Sequence, residues 1–357
     1  MTLGAGAVSL LLDGLTVPQK AEAWRPEPFT TGRTLISRYA TDPQDPWAVA
    51  HGIRAMGKGF LLKDRQPAVV HLLTREVRLR ELAGQRWPHF PLEVEVHPNM
   101  FLKTVLEAGV PLAQPVVAEG RKFTLRDLLT GAKLAFSFDP ATFPPNDLAW
   151  SLIAFANTTP PDPGSWVNVH GQRVEMREVV AFGFRTMEEA SAPVEQAYRA
   201  GRPLTEKAPI HSFTCGGTHL LYSLCTAVNA GYREGRQAER LESQLDLLTY
   251  RLQADVDLID RFYAGVAQHP QAPWFHLDSE LKLVGHGFEV LHYALRHRLF
   301  APTANQEERM TAAWARLQKT LAKVEGMDLT LIKTQSPKLF QQFVGDTCHL
   351  EHARHLL

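Results

Sequence analysis

Three cysteines in 357 residues, Cys215, Cys225 and Cys348, are too few and odd in number for a disulfide framework. A reducing compartment fits that count, so a cytoplasmic protein is expected, with export on a removed leader left open. Charge of either sign is not in excess: Lys plus Arg and Asp plus Glu both number 38, so no net field steers the chain to nucleic acid or an anionic membrane. No run approaches the ~20 apolar residues of a membrane helix. The stretch from Ala5 to Leu15 is short, is broken by Asp13 and lacks the basic start of a signal peptide. Also missing are a phosphate loop, a Gly-x-Gly-x-x-Gly, a Gly-x-Ser-x-Gly and a Cys-x-x-Cys-His. The partner left by these absences is a small molecule or a peptide held in a cavity, without nucleic acid or membrane.

What the chain does have is helical periodicity. Residues 1–44 mix prolines and charges and read as an irregular N-terminal wrap. Residues 45–357 read as one helical domain. Asp45 can cap a helix with Pro46 in its first turn, ending near Gly57. A weak internal repeat follows. The segments starting at Asp64, Gly120 and Gly171 align at offsets of 56 and 51, each preceded by a helical stretch (46–56, 98–108 and 146–156). That period predicts second helices over 67–80, 123–135 and 174–188, stacked as helical hairpins. Further helices are expected over 219–230, 237–263, 278–299 (capped by Asp278), 306–324 (capped by Asn305) and 338–356. A short β-hairpin is expected at 166–174 and an extended piece at 90–96. The fold class is therefore all-α: stacked helical hairpins forming an α/α toroid or a curved solenoid, with a minor β-hairpin.

Chemistry concentrates in His211-Ser-Phe-Thr-Cys215-Gly-Gly-Thr-His219, where metal-ligating side chains recur at intervals of four. Imidazole and thiolate together suit zinc or iron over magnesium or calcium. The paired glycines disfavour an unbroken helix, so Cys215 is expected at a tight turn with Thr218 capping the next helix. A thiol there would have a lowered pKa. If the hairpins close around an axis, the first helix of each pair carries His51, His219, His286, His292, His349 and His352 toward the centre. The expected ligands are His211, Cys215, His219 and His286, with His276, Asp278 and Glu289 as the expected catalytic groups near the cavity mouth. Asp346 is expected to cap the helix carrying Cys348, His349, His352 and His355. A packing cysteine and solvated or core histidines are the plainer reading of the same residues.

Cys215 to His219 reads Cys-Gly-Gly-Thr-His, which resembles the zinc-binding element of alanyl-tRNA editing domains. The companion His-x-x-x-His segment of those domains is missing, and we read the likeness as convergence. Cys215 with Cys348-His349 resembles the Cys plus Cys-His zinc set of lanthionine-cyclase-like α/α toroids, and Ala50-His51-Gly52 resembles their early His-Gly element. The interval from Cys215 to Cys348 is far longer than in that family, and its Trp-Cys context is missing. The resemblance therefore implies an architecture and transfers no activity. The functional expectation is a metal-dependent enzyme with a central His/Cys site that activates water or a substrate heteroatom, zinc being the first choice of metal. A non-catalytic helical-repeat binding protein and a His/Cys-ligated haem protein are the alternatives.

Overall fold

The computed structural model describes Trp24 and residues 31–357. Its helices are α1 (Thr31–Tyr39), α2 (Pro46–Met56), α3 (Ala68–His71), α4 (Leu92–Glu95), α5 (Met100–Glu107), α6 (Leu125–Ala135) and α7 (Leu148–Ala156). Then come α8 (Met176–Arg199), α9 (Thr218–Asn229), α10 (Gln237–Gly265), α11 (Ala272–Arg296), α12 (Ala304–Glu325), α13 (Leu329–Gln335) and α14 (Pro337–His355). Among the described residues, strands occur only as two-stranded antiparallel pairs: β1 (Arg78–Leu82) with β2 (Gln85–His89), β3 (Pro115–Ala118) with β4 (Arg121–Thr124), and β5 (Ser165–Val167) with β6 (Arg173–Glu175). The chain is mostly helical, as its periodicity predicts. No helix among the described residues is long and apolar enough to cross a membrane.

Local chemistry explains most boundaries. Asp45 accepts the amide of Ala48 at 3.0 Å and Pro46 follows it, starting α2; Gly57, at φ 77°, ends it. Thr124 and Asp127 form a reciprocal capping box on α6. Three expected caps are displaced. Asp278 and Asp346 lie inside α11 and α14, which begin earlier because Pro273 and Pro337 occupy their first turns. Thr303, not Asn305, caps α12, in a box with Gln306. The irregular wrap also needs correction, since Thr31–Tyr39 is helical; the rest of its first thirty residues, Trp24 apart, lies outside the described residues.

The internal repeat has a physical basis that differs from the expected pair of helices. Each copy is the turn of an extended pair followed at once by a helix. Leu61 bridges Pro67 ahead of α3, β3–β4 precedes α6, and β5–β6 precedes α8. Left-handed residues turn each pair: Arg65, then Glu119 and Gly120, then Gly171. The helix expected over 67–80 accordingly stops at Glu76 in a π turn, and β1 begins two residues later. Ala83 and Gly84, both at positive φ, close the β1–β2 hairpin with the two-residue turn that suits strand twist. The piece expected to be extended over 90–96 instead winds into α4. Glu95 folds it back by accepting the amides of Asn99 and Phe101 at 2.9 and 3.1 Å.

Helices that are buried on every side form an inner layer. All nine residues of α7 are buried, as are eleven of the twelve in α9. α2 packs on α5, α5 on α7, α7 on α9, α9 on α11, α11 on α14, and α14 on α2. The amphipathic α10 and α12 cover this layer from outside, α10 lying against α8, α9, α11 and α12.

His292 of α11 is fully buried against the rings of Trp24, Phe288 and Trp314 and donates from Nδ1 to the carbonyl of Ala353 at 2.8 Å. Burial pushes its pKa down to about 4. The folded protein therefore holds it neutral, while the unfolded chain takes up a proton below ~6.5. Stability is full above that value and is lost as pH falls toward 4, by on the order of 3 kcal/mol. His292→Phe, which keeps a ring and removes the proton site, should flatten the pH dependence of urea-unfolding free energy between pH 6.5 and 4 by a similar amount. An unchanged slope would show that this imidazole charges without cost.

Candidate functional site

The loop before α9 is built from two single 3-10 turns, Pro209–Ser212 and Thr214–Gly217, joined through an extended Phe213. Cys215, Gly216 and Gly217 follow one another in left-handed conformation, at φ 51°, 63° and 77°. For Cys215 this costs about 1–2 kcal/mol, so the surroundings must hold it. Arg251 donates to the carbonyl of Gly216 at 2.8 Å, Thr218 Oγ1 to that of Cys215 at 2.8 Å, and the amide of Thr214 to the side chain of Asn146 at 2.8 Å. Asp255 fixes Arg251 in turn. Thr218 thus braces the turn from the first residue of α9, and Gly217 takes the cap position assigned to it.

His211 belongs to this brace. Its Nε2 lies 2.9 Å from Asp255 and its Nδ1 accepts the amide of Ala208 at 2.9 Å. Both ring nitrogens are engaged, so the ligand role expected for His211 gives way to a structural one. The interval of four is misleading here because extended Phe213 breaks the helical phase between His211 and Cys215.

Cys215, His219 and His286 do come together, with one donor atom from each lying within 4.8 Å of the others. Tetrahedral zinc, at ~2.3 Å from sulfur and ~2.0–2.1 Å from nitrogen, sets its donors about 3.4–3.6 Å apart. Side-chain shifts on the order of 1 Å would close the triad around an ion of that kind. The ring of His349 is 3.9 Å from that of His286 and 5.1 Å from that of His219, and His51 is 5.3 Å from His349. A cavity of about 930 Å³ opens onto this group, with Trp47 and Trp150 also on its wall.

Hydrogen bonds to acceptor-only partners fix which nitrogen each imidazole leaves free. His286 donates from Nδ1 to the carbonyl of Lys282 at 2.8 Å, His51 from Nδ1 to that of Trp47 at 2.8 Å, and His349 from Nδ1 to Glu289 Oε2 at 2.8 Å. In each, Nε2 keeps its lone pair, the arrangement usual for metal-binding histidines. Burial pushes His51 down to about 3 and His286 to about 4, and holds His219 and His349 well below the ordinary range. All four are neutral at pH 7. Cys215 goes the other way from its sequence expectation: burial, aided by the Asp346 carboxyl, pushes its thiol well up.

The three expected catalytic groups are not brought together. His276 lies on α11 with its Nε2 2.7 Å from Asp260, and Asp260, His276 and Glu280 could by distance hold an ion. Arg316 already occupies that group, at 2.8 Å from Asp260 and 2.9 Å from Glu280. Asp278 is buried and bound to Lys282 Nζ at 3.0 Å, and the same ammonium lies 3.9 Å from Asp346, whose carboxyl is also in contact with that of Asp278. Glu289 stands behind His349. Burial opposes its charge, yet Arg54 and His349 hold it ionised well below the usual carboxylate range.

Arg54 and Lys103, both buried on the cavity wall, escaped the sequence reading. The available signal is a single Arg or Lys in a mostly apolar helix: Arg54 in Pro46–Met56 and Lys103 in Met100–Glu107.

A Cβ on Gly217 would meet Ile210 Cδ1 at 2.3 Å, at a φ of 77° that side chains rarely adopt. Gly217→Ala should therefore cost ~2 kcal/mol or more in thermal or urea unfolding, since strain and clash add. A loss under ~0.5 kcal/mol would show the loop free to relax.

Comparison with known protein families, curated proteins and solved structures finds no match to this chain.

Proposed function

We propose that this chain is a metal-dependent enzyme in which Cys215, His219 and His286 hold a zinc ion on the wall of the large cavity. The observation that carries this is the convergence of one thiol and two neutral imidazoles, from a loop and two helices, beside a space of about 930 Å³. Three protein donors leave a fourth position for water or a substrate heteroatom, the composition of catalytic zinc sites. The metal would supply Lewis acidity and a lowered pKa for bound water. Thiolate with imidazole favours zinc among common divalent ions, and a cation offsets the burial that holds the Cys215 thiol protonated. Haem takes axial ligands one to a face, so three donors within 4.8 Å of one another favour a bare ion.

His349 is the residue that would move protons. It lines the cavity beside the triad, and Glu289 holds its Nδ1 proton, leaving Nε2 to accept one. The architecture in this reading is an α/α toroid. The successive packing of α2, α5, α7, α9, α11 and α14, with α14 returning to α2, supports a ring whose histidine-bearing helices lie inside. The ligand is a small molecule or a peptide end.

Protein purified without an affinity tag, in zinc-supplemented buffer, should carry about one zinc per chain, as expected for three converging protein donors. Cys215→Ala and His286→Ala should each lose it. Cys215 should resist alkylation until a chelator is added, because ligated thiolate is blocked. A metal-free protein with the same alkylation rate in both conditions would leave the cavity to a non-catalytic binding protein.

A further inference from the structure

We propose that the cavity takes a ligand bearing a carboxylate, received on the inner wall by Arg54 and Lys103, which rests on the enzyme reading above only in calling that ligand the substrate. Both side chains line the cavity although they are only 6% and 2% exposed. Arg54 donates from Nε to Glu289 at 2.6 Å and from Nη1 to Glu107, and its guanidinium lies over the ring of Tyr222 at 4.9 Å. Its Nη2 is buried and has no hydrogen-bond partner among the described residues. Lys103 Nζ donates to Glu107 at 2.9 Å, using one of its three protons. Buried donors of this kind are rarely left unpaired in a native protein, and charged ones least of all.

The charges are layered. The cations Arg54 and Lys103 stand on the wall, while Glu107 and Glu289, which balance them, stand behind and do not line the cavity. At this part of the wall a ligand meets the positive side of the arrangement, the lining carboxylates Asp42, Asp45, Glu93 and Asp346 belonging to other parts of the cavity's residue set. Carboxylate oxygens suit the planar fork of a guanidinium, and the ammonium adds a point charge beside it. Trp47 and Trp150 on the same wall offer flat apolar surface to the rest of the molecule. The volume suits a ligand larger than an inorganic anion.

Benzoate and its neutral isostere benzamide test this on the full chain, through quenching of the wall tryptophans and the rise in Tm. Benzoate should bind at least about tenfold more tightly than benzamide, a charge-assisted preference. Lys103→Met, similar in volume, should weaken benzoate by about tenfold or more while leaving benzamide unchanged. Cys215→Ser, which removes the proposed metal ligand, should bind benzoate as the parent does; loss of binding in that variant would assign the carboxylate to the metal and overturn the Arg54–Lys103 site. Equal affinity for benzoate and benzamide, or no binding of either, would overturn it too, whatever Lys103→Met does to folding. Inorganic phosphate binding in preference to benzoate would replace a carboxylate ligand with a tetrahedral one and refute the proposal as stated. A Cys215→Ser protein that lacks metal and still prefers benzoate would support it, even if the zinc reading failed.

Discussion

One buried carboxylate ties the site together. Glu289 on α11 accepts Arg54 Nε from α2 and His352 Nδ1 from α14 on one oxygen, both at 2.6 Å, and His349 Nδ1 from α14 on the other at 2.8 Å. An ionised carboxylate in this position is tenable only because a guanidinium and two N–H donors replace the water it has lost. The same bonds orient His349 toward the cavity and hold three helices in fixed register around it. A hydrocarbon core could pack these helices too, but it would not specify which nitrogen of His349 is protonated. Electrostatic satisfaction and imidazole orientation are here the same requirement.

The neighbouring ionisable groups follow the same rule at smaller scale. Lys282 pairs with Asp278 and lies near Asp346, and Arg251 with His211 shares Asp255 beneath the Cys215 turn. Each group braces something that touches the cavity. Lys282 gives its carbonyl to His286, and Arg251 gives a hydrogen bond to Gly216. Polar side chains are thus buried in support of the site, while neighbouring α7 is almost wholly apolar.

Much of the fold is legible in the chain because helices declare themselves through local patterns: a cap at Asp45, a box at Thr124, a long period in Gln237–Gly265. Cys215 and His219 are legible as a pair because they sit one turn apart, and His286 because it lies on a helix apolar on two sides. Residues whose meaning depends on distant partners are not legible. His211 has the same interval to Cys215 as His219, yet Asp255, 44 residues away, decides its role. Asp278 and Asp346 look like helix caps until Pro273 and Pro337 are recognised as the true starts. Arg54, Lys103 and Glu107 carry no sign of their burial in the sequence, since period alone cannot say that the polar face of one helix meets that of another. Of the hairpins inside the repeat, β5–β6 is where the sequence places one, at 166–174, while β3–β4 hides because an extended pair of four residues is too short to show a period of its own.

The packing of α2 on α14 bears on how such a chain reaches its final form. The hairpins β1–β2 and β3–β4 close loops of two residues each and can form as soon as their own residues are available. Joining His51 to His349, or Arg54 to Glu289, closes a loop of more than two hundred residues. Relative to a loop of ten residues, that closure costs roughly 2–3 kcal/mol more in chain entropy, and it gains nothing until the intervening helices are in place. The rim of the cavity therefore depends on contacts between helices far apart in sequence, which local structure alone does not form. A solvated imidazole has its ordinary basicity, so the set of buried, neutral histidines on that rim exists only where these distant helices meet.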